Sequence, residues 1–101
     1  MGVFYARDRG TLTVTVRLPA TLADRIGGVA QIALPVAKLG ECLTELARLH
    51  PPLQRIIWLD RSEVNPVILL FHNNRLLKPI DLQQPLDDGD QLDIVPSIEA
   101  G

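Results

Sequence analysis

Four aspartates crowd one short stretch of this 101-residue chain, Asp87, Asp88, Asp90 and Asp93, and carboxylates so close together could begin a cation site. A calcium loop needs more: the twelve-residue ligand pattern closed by a glutamate is absent, so the sequence predicts a solvated turn. His50 and His72 fall in different segments, neither with a second metal ligand at a recognisable spacing, and they read as ordinary surface or edge residues. Cys42, the only cysteine, lies beside Leu43 and Leu46 on an apolar stripe, where cysteine acts as a small hydrophobe and no nucleophilic role is expected. Trp58 has two readings, an anchor for a partner or a piece of the core. The residues therefore predict no catalytic group, no metal and no cofactor.

The composition bounds the partners in a similar way. A formal net charge of −2, a sequence pI near 5.5 and ten scattered lysines and arginines give no long-range pull toward phosphate backbones or anionic lipid. Nucleic acid and membrane surfaces are therefore poor expectations. A hydrophobic content of 47% in one domain's length is enough for a single core without staples. One cysteine forms no internal disulfide, and no apolar stretch approaches the roughly 18 residues that span a bilayer. A reducing cytoplasm is the expected compartment.

The elements that must carry these residues can be read from hydrophobic period. Residues 1–10 show none and are expected to be a flexible leader. From Thr11 the pattern alternates, with Leu12, Val14, Val16 and Leu18 on one face, which predicts a half-buried strand. Pro19 ends it, a helical turn is expected over 20–26, and Gly27-Gly28 makes a reversal into a second strand over 29–34 with Ala30, Ile32 and Leu34 inward. The period then changes: Leu39, Cys42, Leu43, Leu46 and Leu49 form one stripe of a helix that Pro51-Pro52 stops. Leu53 to Leu59 is read as a helical turn or irregular packing that brings Trp58 to the core.

Val67 to His72 is a nearly continuous apolar run suited to a covered strand, and Asn73-Asn74 can turn it into a short strand over 75–77. A last strand is expected over Gln91 to Val95, ended by Pro96. A hairpin, a helix and two or three further strands imply an α+β roll with the helix across one sheet face. Val67, Leu69 and Phe71 supply more apolar surface than one buried face requires. They are either a partner face or are covered by the segment Leu53 to Leu59.

The run Pro85-Leu86-Asp87-Asp88-Gly89-Asp90-Gln91-Leu92-Asp93-Ile94-Val95-Pro96, with a short tail to a terminal glycine, resembles the C-terminal signature of the MoaD and ThiS sulfur carriers. Val16-Arg17-Leu18-Pro19-Ala20-Thr21-Leu22, Gly27-Gly28, the helix over 39–50 ending at prolines, and the turn at Phe71-His72-Asn73-Asn74 resemble the same family. The similarity covers roughly residues 12–101, and the added Leu53 to Pro66 segment makes it closer to the small subunit of molybdopterin synthase. The resemblance implies a ubiquitin-like β-grasp over 11–96, with a mixed four- to five-stranded sheet, one main helix and a flexible tail over 97–101.

It also implies a function and partners. In that family the last carboxylate, here that of Gly101, is adenylated by an E1-like enzyme and becomes a thiocarboxylate that delivers sulfur. The partners implied are that activating enzyme and the molybdopterin synthase large subunit or another sulfur-accepting enzyme; the carrier itself is not an enzyme. A terminal carboxylate on a narrow tail can thread into another protein's active site, which a side-chain carboxylate cannot. The ending Glu99-Ala100-Gly101 departs from the family's Gly-Gly at Ala100, whose methyl restricts φ and widens the tail. A ubiquitin-like protein modifier, or a β-grasp interaction module that no longer conjugates, stand as the alternatives.

Overall fold

The computed structural model describes residues 3–5, 13–60 and 62–97. Six strands form one mixed sheet in the order β1-β3-β2-β6-β4-β5: β1 Val3–Tyr5, β2 Val14–Arg17, β3 Gln31–Leu34, β4 Ile68–His72, β5 Arg75–Leu76 and β6 Gln91–Pro96. The helices are α1 Ala20–Ala23, α2 Leu39–Leu49 and α3 Gln54–Ile57. This is the β-grasp fold expected from the sequence, an α+β roll with one main helix and a mixed sheet. Among the described residues no helix is long and apolar enough to cross a membrane.

The two halves of the chain meet at β2 and β6, which lie parallel, with Val16 opposite Leu92 and Arg17 opposite Asp93. β3 flanks β2 antiparallel, pairing Val16 with Ile32, and β4 flanks β6 antiparallel, pairing Leu70 with Ile94. Alternation does its work along the strands. Val14, Val16, Ile32, Leu70, Leu92 and Ile94 are 0% exposed and face the stripe Leu39, Cys42, Leu43 and Leu46 of α2 in one cluster. Helix α2 spans the residues that its period predicts.

Two features differ from the pattern reading, and a third extends it. Val3–Tyr5, inside the stretch expected to be a leader, pairs parallel with β3 as an outer strand. The strand expected over 29–34 begins only at Gln31. Ala30 is exposed, its carbonyl accepting the N–H of Leu18, while Val29 packs against the core. Pro51-Pro52 ends α2 but does not end helical structure: Pro51–Leu53 forms a 3-10 turn that runs into α3. Proline at the first positions of a helix costs nothing, because those amides have no intrahelical acceptor. Leu53, Ile57 and Trp58 are thereby carried into the core cluster, which settles Trp58 as core.

Two reversals depend on left-handed backbone. Gly27 and Gly28 have φ of 77° and 88°, and the two-residue turn between β4 and β5 has Asn73 at 51° and Asn74 at 72°. Positive φ at both central residues defines the hairpin turn whose twist matches its strands, and asparagine tolerates it.

Candidate functional site

The chain leaves the sheet from one of its two central strands. β6 ends opposite the start of β4, with Pro96 paired to Ile68. The next residue, Ser97, donates its N–H to the Val67 carbonyl at 2.6 Å and its hydroxyl to the same oxygen at 2.9 Å. The bonded chain thus runs one residue past the Pro96 expected to end it. Ile98, Glu99, Ala100 and Gly101 lie outside the described residues, and so does the expectation of a flexible tail over them.

Beside that exit lies an apolar patch on the outward face of the sheet. Leu69 pairs with Val95, and Phe71 pairs with Asp93 on one side and Leu76 on the other, so their side chains share a face. Leu69, Phe71 and Val95 are half-buried, and Leu76 is 47% exposed. Inboard, Arg17 closes the patch by gripping Asp93 with two bonds, Nε to Oδ1 at 2.8 Å and Nη2 to Oδ2 at 3.2 Å. The α3 segment joins the core on the other side of the sheet, so it does not cover these residues. Val67, grouped with Leu69 and Phe71 on sequence, precedes β4 and packs against the core. Its part at this exit is the carbonyl that holds Ser97.

At the opposite pole the structure assembles polar residues that reading by segment kept apart. His72 donates a ring N–H from Nε2 to Asp90 Oδ2 at 2.7 Å, and the Gln84 amide lies 3.1 Å from Nδ1. Asn73 donates to Asp90 Oδ1 at 3.1 Å, and the Asp87 backbone N–H to Oδ2 at 2.8 Å. Burial pushes the Asp90 carboxyl up, but the bonds from Asp87, His72 and Asn73, with the attraction of the His72 ring when it is protonated, outweigh it, and the net shift is downward. Asp88 accepts the Thr13 N–H at 2.9 Å. These aspartates are thus the turn that the sequence predicts, though a bonded rather than a purely solvated one. His72 is a half-buried partner of Asp90 and not an ordinary edge residue. Nothing local in the sequence signals a contact between residues 18 apart.

The remaining sequence candidates are structural. Cys42 is fully buried, and burial pushes its thiol up to about 12, so it stays a protonated, unreactive hydrophobe. His50 follows α2 and donates its backbone N–H to the Leu46 carbonyl.

No family profile and no curated protein sequence matches the chain. Solved structures do. SAMP1, the small archaeal modifier protein 1 of Haloferax volcanii, superposes with a TM-score of 0.74 at 25% identity, over 88% of this chain and 99% of its own. The BexX/CysO complex of Amycolatopsis orientalis matches at TM-score 0.75 and 22% identity, over 87% and 99%. A Pyrococcus furiosus protein designated molybdopterin converting factor, subunit 1, matches at 0.66 and 17%, over 87% and 100%. These neighbours are ubiquitin-like sulfur carriers and modifiers of the ThiS/MoaD type, the group that the C-terminal motif resembles. They are small carrier or modifier proteins rather than catalytic enzymes.

Proposed function

We propose that this chain is a sulfur carrier whose Gly101 carboxylate is adenylated by an E1-like enzyme and then converted to a thiocarboxylate. The observation that carries the reading is the exit itself. A central strand, paired on both sides, carries the described chain to Ser97 at one pole, beside the half-buried apolar residues Leu69 and Val95. The carboxylate oxygen attacks the α-phosphorus of ATP and pyrophosphate leaves. Hydrosulfide sulfur then attacks the acyl carbon, AMP leaves with the bonding pair, and loss of the S–H proton gives the thiocarboxylate. The domain's own contribution is presentation and docking. Ser97 fixes where the tail starts, and Leu69, Phe71, Val95 and Leu76 offer a hydrophobic surface to the activating enzyme. The molybdopterin synthase large subunit, or another sulfur-accepting enzyme, would take the sulfur at the same end.

A second reading, a protein modifier joined through Gly101 to a target lysine, draws on the likeness to SAMP1. Both readings share the adenylate and differ in the acceptor. Pyrophosphate release with ATP and the E1-like enzyme of the same organism is expected in either case. Transfer to a sulfur donor, seen as a mass gain, selects the carrier, whereas attachment to lysine selects the modifier. An absence of pyrophosphate release leaves the domain as an interaction module.

A further inference from the structure

The Val67 carbonyl that holds Ser97 is itself held, and the residue that holds it is Asn65. Residues Asn65-Pro66-Val67-Ile68 make a turn closed by the Ile68 N–H on the Asn65 carbonyl at 2.9 Å, with asparagine first and proline second, the types such turns favour. The Asn65 side chain adds a second bond, its Oδ1 accepting the Val67 N–H at 3.2 Å. One residue thus grips the peptide groups on both sides of Val67. A peptide group is planar and trans, so fixing the Ile68 N–H also fixes the Val67 carbonyl in the same plane, pointing the opposite way. That carbonyl receives both donors of Ser97, the N–H at 2.6 Å and the hydroxyl at 2.9 Å.

Asn65 is in turn tied to the core. Its N–H bonds to the carbonyl of Ile57 at 2.8 Å, a residue 0% exposed at the end of α3, and its neighbour Val64 bridges to Trp58. Hydrogen bonds therefore run from the end of α3 through Asn65 and Val67 to the point where the chain leaves the sheet. The same anchor sets the exit in register with the apolar patch. Ile68 pairs with Pro96 and the next pair along is Leu69 with Val95, so the exit and the inner end of the patch share one stretch of ladder. Among the described residues the Val67 N–H has no acceptor other than Asn65 Oδ1, so this side chain alone fixes that half of the turn.

We infer that Asn65 is a positioning residue for the carboxyl-terminal tail: through the Val67 carbonyl it fixes the point from which the chain leaves the sheet relative to the patch. Its part in activation rests on the reading of Gly101 as the activated end; the latch itself rests on the geometry of residues 57–69 and 95–97. An exit fixed in advance spares the activating enzyme the entropy of ordering it on docking.

Hydrogen exchange of the free chain, followed by NMR, tests the latch without any enzyme. The Ser97 amide should be protected in the parent. Asn65→Ala should speed its exchange about two- to fivefold, as one hydrogen bond of ordinary strength allows, and Asn65→Asp, which keeps an acceptor oxygen, should exchange like the parent. The Asn73 amide, bonded to the Gln91 carbonyl at the opposite pole, is the reference and should not change. With ATP and the E1-like enzyme of the same organism, Asn65→Ala should raise KM for pyrophosphate release by up to about fivefold at unchanged kcat, because fewer chains dock in register, and Asn65→Asp should restore it. An unprotected Ser97 amide in the parent, unchanged exchange in Asn65→Ala, equal acceleration at Asn73, an aspartate variant no better than alanine, or a fall in kcat at unchanged KM would each overturn the inference. Pyrophosphate release absent from the parent fails the carrier reading instead, and the exchange rates alone then decide whether Asn65 holds the exit.

Discussion

Asp90 ties two stretches of chain together, taking bonds from His72 and Asn73 at the β4–β5 turn and from the Asp87 backbone of its own turn. Its depressed pKa gives this tie a pH signature. A carboxylate held lower in the folded state than in the unfolded one contributes stability above the unfolded value, near 3.9, and loses it as pH falls through the folded value. Asp90→Asn should therefore melt lower than the parent at neutral pH, with the gap closing below the usual carboxylate range. Melting curves from pH 7 down to pH 2.5 check this, and a gap that persists at the acid end would contradict it. Cys42 predicts the opposite kind of silence. With its thiol buried and raised to about 12, alkylation at pH 8 should label the unfolded chain fully while leaving the native protein untouched. Both residues show where reading by segment stops. Cys42 sat on a visible stripe and could be placed as core, whereas the Asp90 tie joins distant segments and leaves no periodic trace.

Helix α2 is the element that the sequence announces most clearly, because its stripe repeats over three turns. Leu43 is 0% exposed at the centre of that stripe, and Leu43→Ala should cost about 2–5 kcal/mol by lost burial and the cavity left behind; denaturant unfolding measures it. What the stripe did not reveal is how the helix starts. Lys38 makes no side-chain cap, and the first amides instead bond to a loop, Leu39 N–H to the Gln84 carbonyl at 3.0 Å and Gly40 N–H to the Leu82 carbonyl at 2.8 Å. A Cβ at position 40 would sit 3.0 Å from that Leu82 oxygen and 3.3 Å from Leu82 Cβ. Alanine normally favours a helix over glycine by about 1 kcal/mol, yet Gly40→Ala should lower the unfolding midpoint here, since the helix must back away from the carbonyl that caps it. A raised midpoint would show that the loop yields easily. Short elements were harder to read for a physical reason. Val3–Tyr5 is too brief to display a period, and the 3-10 turn Pro51–Leu53 sits on the proline pair that stops α2, whereas the helical turn expected within 53–59 is present as α3. Outward Leu69 and Phe71 followed from strand alternation; Val67 did not, because it lies in the turn before β4 where alternation no longer applies.

At the scale of the molecule, the described chain ends at one pole, the apolar patch runs from there along the outward sheet face to Phe71 and Leu76, and the other pole carries the hydrogen-bonded turn of Asp87 to Asp90. Placing a charge on the patch tests whether it serves docking. Phe71→Asp, on an outward and half-buried position, should leave the fold cooperative and slow reaction with the E1-like enzyme by at least about tenfold, the worth of one anchoring contact. An unchanged rate would move docking elsewhere. The central claim is that Gly101 carries sulfur, and the most direct measurement is the intact mass of the chain after incubation with ATP, a sulfur source and the E1-like enzyme of its own organism. The parent chain should gain about 16 Da, the difference between sulfur and oxygen, and Ala100→Gly should react at least as fast. A chain lacking Gly101 should fold and gain nothing. If the parent also stays at its unmodified mass while the same enzyme converts a Gly-Gly carrier from that organism, Gly101 is not a sulfur-carrying end.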